Sequence, residues 1–127
     1  MPPTLSTNVK RPAQLKEIID QASLSGKSTI VKLGAAWCAP CSRVDHPFYD
    51  FMERFRDQFC WVVIDIDESY EIYSFLKSKR VIHGIPAILR YDADSSSIVH
   101  APSDSVIGAD MNALAGFLQR SIDKARR

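Results

Sequence analysis

Cysteine is scarce and odd in number: Cys38, Cys41 and Cys60 are the 3 in a chain of 127 residues. Three thiols cannot all pair within one chain, so a disulfide framework does not hold this protein together, and a reducing, cytoplasmic setting is the expectation. Charge of one sign is lacking too. Sixteen Lys+Arg stand against 15 Asp+Glu, a formal net charge of +1, which leaves no broad basic surface for a sequence-independent grip on nucleic acid. The cationic tail of Lys124, Arg126 and Arg127 reads as a solvated helix end, where cations suit the helix dipole. No apolar run approaches the roughly 18 residues that cross a bilayer, so no membrane role is expected. The stretch Met1–Thr7 has no basic cluster leading into an apolar segment and does not read as a secretory signal. Internal repeats and long low-complexity stretches are absent.

What is present is material for a core. The hydrophobic fraction is 46%, with Trp37, Trp61, 6 Phe and 4 Tyr, enough to fold one domain over residues 1–127 without staples. A monomer is the expectation. Helical spacing of Leu15, Ile18, Ile19 and Ala22 predicts a helix over 12–24, with Pro12 in its first turn and Gly26 beyond its end. The β-branched run 29–33 predicts a strand. Val44, Phe48, Phe51, Met52 and Phe55 predict a helix over 39–58, kinked at Pro47.

The nearly continuous apolar run 61–66 suits a strand buried on both faces, and Ile72, Phe75 and Leu76 mark a helix over 69–79. Strands over 85–91 and 97–101 are expected as a hairpin around the polar turn 92–96. Asp110 can cap a last helix with Met111, Leu114, Leu118 and Ile122 on its inner face. A short strand near 4–9 is weakly signalled. Early alternation implies parallel pairing with right-handed crossovers, and the hairpin adds antiparallel strands. The expected class is therefore α/β, a central mixed β-sheet flanked by helices on both faces.

The chemistry lies where strand 29–33 runs through Gly34-Ala35-Ala36 into Trp37-Cys38-Ala39-Pro40-Cys41 at the start of a helix. Two cysteines with two residues between them on a first helical turn can bring their sulfurs within bonding distance. Cys38 would sit where unpaired N–H groups and the helix dipole stabilise a thiolate, lowering its pKa to about 3.5–7.5 at sites of this kind. Cys41, one turn inward, is placed to resolve a mixed disulfide. Half of a zinc site and two plain thiols are the other readings of a bare CxxC. Cys60 has no CxxC partner and His46, His83 and His100 lack ligand spacing, so no metal is expected.

Trp-Cys-x-Pro-Cys after a strand, Gly84-Ile85-Pro86 entering a later strand and Ile107-Gly108 before the last helix together resemble the thioredoxin family, in order, over roughly residues 10 to 122. The resemblance implies the thioredoxin fold and a thiol–disulfide oxidoreductase that reduces protein disulfides. It makes Cys38 the nucleophile and Cys41 the resolving thiol, joined when oxidised as a redox-active Cys38–Cys41 disulfide with no bound cofactor. It makes Pro86 a cis-proline that turns the backbone of Ile85 toward the dithiol, where an extended substrate can pair with it. Gly108 is implied to let substrate approach the backbone, and Trp37, Ala39 and Pro40 to flank the dithiol. Outside the resemblance, Pro86 could be a trans proline opening a strand, Gly108 a turn glycine and Trp37 a packing residue. Implied partners are disulfide-containing proteins and a separate thioredoxin reductase or other dithiol donor.

Several positions depart from the family pattern. Ala39-Pro40 replaces the usual Gly-Pro, a better helix former in the turn. Retaining Pro40 rather than a histidine favours reducing members over disulfide isomerases. Six residues before Cys38, where thioredoxins carry a buried aspartate, stands Lys32. A buried ammonium must be paired, neutral or able to reach water. Asp65, on the adjacent strand, is one candidate partner; a Lys32 beneath the dithiol would lower the thiol pKa values, and one that snorkels outward would do nothing chemical. Pro47 falls about one residue late, and the stretches 67–86 and 92–105 look long for the family. Cys60 reads first as a buried structural thiol and second as a regulatory or dimer-forming one. Two other functions stay open: a disulfide donor or isomerase, and a non-catalytic binding module on the same fold.

Overall fold

The computed structural model describes residues 5–95 and 98–126. Its element order is β1 (Leu5–Ser6), α1 (Pro12–Leu24), β2 (Ser28–Gly34), α2 (Ala39–Arg54), β3 (Phe59–Asp65), α3 (Tyr70–Ser78), β4 (Ala87–Tyr91), β5 (Asp104–Ile107) and α4 (Met111–Ala125). The strands lie in the order β1-β3-β2-β4-β5. β1, β3 and β2 run parallel, while β4 is antiparallel to β2 and β5 antiparallel to β4.

Strand alternation sorts the side chains onto two faces. Val31, Leu33, Val62, Ile64 and Leu89 point to the side covered by α1 and α3, through Leu15, Ile19, Ile72 and Leu76. Ile30, Phe59, Trp61, Ile88 and Val106 point to the side covered by α2 and α4, through Val44, Phe48, Phe51, Leu114 and Phe117. Lys32 lies between Ile30 and Gly34 on the second face, level with Val63 of β3 and Ile88 of β4. Parity alone thus puts a lysine under α2.

Three expectations are corrected. The hairpin partner of β4 is Asp104–Ile107 and not 97–101. Residues 98–101 turn instead, with the Ala101 N–H donating to the Ile98 carbonyl at 2.9 Å, and the Tyr91 hydroxyl anchors the buried Val99 through its carbonyl; Ser97 lies outside the described residues. Pro102 follows that turn, and the strand that resumes after it sets Asp104 opposite Arg90, an opposite-charge pair. Second, α2 runs through Pro47 but ends at Arg54, and β3 starts at Phe59, because Phe59 and Cys60 already pair with Ser28 and Thr29. Third, Met111 is 44% exposed, while Leu114, Leu118 and Ile122 face the core as expected and are joined there by the buried Phe117 and Ser121. The Asp110 cap forms as expected, its carboxylate accepting from the Asn112 and Ala113 N–H groups.

Candidate active site

β2 ends at Gly34, and the chain crosses Ala35-Ala36-Trp37 before α2 begins at Ala39. Cys38 is therefore the N-cap of α2, in extended conformation, and its sulfur takes the place that a cap hydroxyl usually fills. The Cys41 N–H donates to Cys38 Sγ at 3.2 Å. Cys38 and Cys41 are disulfide-bonded, with Cα atoms 5.2 Å apart. Both are largely covered, Cys38 at 5% exposure and Cys41 at 2%. The helix N-terminus aims a donor at the outer sulfur, so negative charge developing there is stabilised in place.

The later motifs converge on this sulfur. Cys38 Sγ lies 4.0 Å from the Ile85 carbonyl oxygen. The Ile85–Pro86 bond is cis. The Gly108 N–H donates to the Pro86 carbonyl at 2.8 Å, tying the start of β4 to the end of β5. Gly108 has φ +96°, in the left-handed region where a side chain is strained. So Cys38, Ile85, Pro86 and Gly108, distant in sequence, form one rim.

Ala39 and Pro40 are exposed beside the dithiol, and Trp37 is 67% exposed. A packing role for Trp37 is thereby set aside. Its indole N–H donates to the Asp67 carboxylate at 2.8 Å, which fixes the ring on the surface.

Lys32 lies beneath the pair and is buried, at 5% exposure. A Cβ built on Gly34 would lie 3.3 Å from Lys32 Nζ and 3.5 Å from Cys41 Sγ, so the ammonium and the inner sulfur border the same small space. The partner of Lys32 is Asp45 and not Asp65: Nζ sits 2.8 Å from Asp45 Oδ1. The Asp65 carboxylate is occupied in its own turn, accepting from the Asp67 N–H at 2.9 Å. Nζ also faces the Tyr49 and Phe48 rings, 5.5 and 5.9 Å from their centroids. A cleft of roughly 160 Å³ opens here, lined by Lys32, Gly34, Cys41, Asp45, Val63 and Asp65 among others. Burial, with the Asp45 charge second, pushes the Tyr49 phenol up.

Asp45 and Asp67 are the site residues that sequence reasoning missed. Asp45 follows Cys41 by four residues and therefore shares its helix face, a signal that was legible once Lys32 had been placed under α2. Nothing comparable points to Asp67, which reaches Trp37 from the loop after β3. Cys60 stands apart on β3, buried, outside the disulfide, and its thiol is pushed up by burial against the opposing influence of the Thr29 hydroxyl and Lys27. That is the character of a structural thiol.

Comparison with known proteins agrees with the geometry. The thioredoxin family model matches residues 6–119. Thioredoxin H4-1 of Oryza sativa subsp. japonica is 41% identical over 56 residues, 44% of this chain and 42% of that protein. A thioredoxin of Coprinus comatus is 28% identical over 99 residues, 77% of this chain and 84% of that protein. In most of these matches the chain spans about half the length of the curated relative. The solved structure of Trichomonas vaginalis thioredoxin superposes with a TM-score of 0.72 at 19% identity, over 92% of this chain and 96% of that one. With the family model covering residues 6–119 and the Cys38–Cys41 pair fitting a CxxC active site, the chain belongs to the thioredoxin family.

Proposed function

We propose that this protein reduces disulfide bonds in protein substrates by dithiol exchange. The observation that carries the reading is Cys38 Sγ at the N-cap of α2, accepting the Cys41 N–H and facing the Ile85 carbonyl. In the reduced protein the Cys38 thiolate attacks one sulfur of the substrate disulfide. The substrate S–S bond breaks, its other sulfur leaves as a thiolate and takes a proton from water, and Cys38 is left in a mixed disulfide. Cys41 then loses its proton to water and attacks Cys38 Sγ; the second substrate sulfur departs and is protonated. Two electrons have passed to the substrate, and the protein is left with the Cys38–Cys41 disulfide.

Ile85, Pro86 and Gly108 would dock the extended backbone of the substrate beside Cys38, with Trp37, Ala39 and Pro40 forming the exposed rim. The electrons are carried by the sulfurs themselves, so no bound cofactor is required. A thioredoxin reductase, or another dithiol donor, would restore the reduced pair, in a cytoplasmic and monomeric protein. A second reading, a disulfide donor, is favoured by one feature, the buried Lys32 cation, which would stabilise the reduced thiolates.

The test is reduction of a disulfide-containing protein such as insulin, driven by dithiothreitol. Cys38→Ser is expected to lower the rate at least a hundredfold, and Cys41→Ser to trap substrate on Cys38 as a mixed disulfide visible by mass. A Cys38→Ser protein as fast as wild type would overturn the proposal.

A further inference from the structure

We propose that Lys32 and Asp45 act as a charge couple that sets the stability of the Cys41 thiolate, so that a carboxylate outside the CxxC motif governs which way the dithiol runs. The inference rests on Cys38 and Cys41 being the reacting pair.

An isolated ammonium buried to this degree would be expelled or neutralised. Lys32 is held instead by Asp45 at 2.8 Å, with the Tyr49 and Phe48 rings near by. The two partners are unequal. The Lys32 side chain is 6% exposed and that of Asp45 44%; Oδ1, the oxygen that meets Nζ, is buried, so water reaches the carboxylate from its outer side while the ammonium is covered throughout. Toward the inner sulfur, across the space above Gly34, the uncompensated charge is therefore positive. The other groups facing Nζ do not reverse this. α2 contributes Tyr49, whose phenol is pushed up and stays neutral, and β3 contributes the exposed Asp65. β4 presents Ile88 level with Lys32, which carries no charge.

A cation beside a thiol favours its ionised form. In the resolving step Cys41 gives its proton to water at the mouth of the cleft, and the Lys32 charge holds the thiolate until it attacks Cys38 Sγ. The same charge stabilises the reduced dithiol over the disulfide, which makes the couple a better oxidant. Lys32 and Asp45 touch neither substrate nor the bond being broken. They are positioning residues, and Asp45 fixes how much of the Lys32 charge the sulfur feels.

Two readouts test this, neither of which a merely structural pair would move in opposite directions. One is the fraction of Cys38–Cys41 disulfide at equilibrium across a series of dithiothreitol buffers. The other is the pH dependence of Cys41 alkylation by iodoacetamide in a Cys38→Ser background, followed by peptide mass. Lys32→Met, which leaves Asp45 unopposed, is expected to move the equilibrium about tenfold toward the disulfide, ~30 mV for a two-electron couple, and to move Cys41 alkylation to higher pH. Asp45→Asn is expected to shift both readouts the opposite way, and Asp45→Glu to restore wild-type behaviour. Single variants that both shift the same way, or an Asp45→Asn protein indistinguishable from wild type, would overturn the proposal. Should Lys32→Met not fold, the contrast of Asp45→Asn with Asp45→Glu decides alone. Failure here with Cys38-dependent insulin reduction intact would remove the charge couple only; loss of the Cys38 dependence would remove the reading beneath it.

Discussion

Two cations are buried on the same face of the sheet, and they are held very differently. Arg90, on β4, is anchored on several sides: Nε donates to Asp92 at 2.7 Å, one terminal nitrogen donates to Ser121 at 2.8 Å and lies 3.4 Å from Asp104, and the Phe117 ring stacks near by. Asp104 is itself gripped by Arg120 at 2.8 and 3.2 Å. Lys32, on β2, meets one carboxylate among the described residues, Asp45, whose side chain is 44% exposed. A guanidinium with its donors distributed among fixed acceptors is a fastener joining β4, β5 and α4. An ammonium with a single, screened partner beside two sulfurs leaves charge over. The contrast teaches that the number of partners, rather than burial, separates a structural cation from one that can act on its neighbours.

The comparison breaks most visibly in stability. Arg90→Met strands the Asp92 carboxylate, leaves the Ser121 hydroxyl only its bond to the Phe117 carbonyl and weakens the hold on Asp104, and is expected to destabilise the fold by about 3 kcal/mol in urea unfolding. Lys32→Met should stay within about 1 kcal/mol of wild type, since the methionine keeps the apolar volume and the Asp45 side chain already meets water where it stands. Equal losses from the two would erase the distinction.

A smaller effect should appear with pH. Burial raises the Asp104 carboxyl, but the Arg120 hydrogen bonds, the Ser105 N–H and the Arg120 and Arg90 charges outweigh it and hold the group below the usual aspartate range. A carboxyl depressed in the folded state adds stability above its unfolded pKa, and that stability is lost as the pH falls through the folded pKa. Urea midpoints measured downward from pH 5 should fall through the acid range, and Asp104→Asn should flatten that limb.

The smallest effect sharpens the comparison from outside. Arg80 is an exposed cation with φ +60°, in the position after α3 where glycine is usual. Arg80→Gly is expected to raise stability by no more than about 1 kcal/mol, and to leave the dithiol equilibrium where it was. A shift in that equilibrium would mean that surface charge, and not the buried couple, sets it.

Much of the site could be read directly from the chain because its signals are local or ordered. CxxC on a first helical turn is a local fact, and Ile85-Pro86 and Ile107-Gly108 keep their order along the chain. What escaped depended on pairing across distance. The neighbouring strand offers Asp65 as a candidate partner for Lys32, whereas the helix above supplies Asp45. The stretch 97–101 carries Ile98 and Val99 side by side, but Ile98 is exposed, Val99 is buried in a turn held by the Tyr91 hydroxyl, and the ladder is made by Asp104–Ile107. Met111 satisfied the helical period but lies at the first turn of α4, at the edge of the core, where the period no longer decides burial.

The two tryptophans divide the molecule optically. Trp61 is 0% exposed in the core, and Trp37 is 67% exposed beside the disulfide. A buried indole emits at shorter wavelength than a wet one, and a nearby disulfide quenches fluorescence. The red edge of the emission spectrum would therefore follow the oxidation state of the dithiol, while the blue edge follows unfolding. The unlabelled protein thus carries separate colours for its chemistry and its stability, which lets both be recorded from one cuvette.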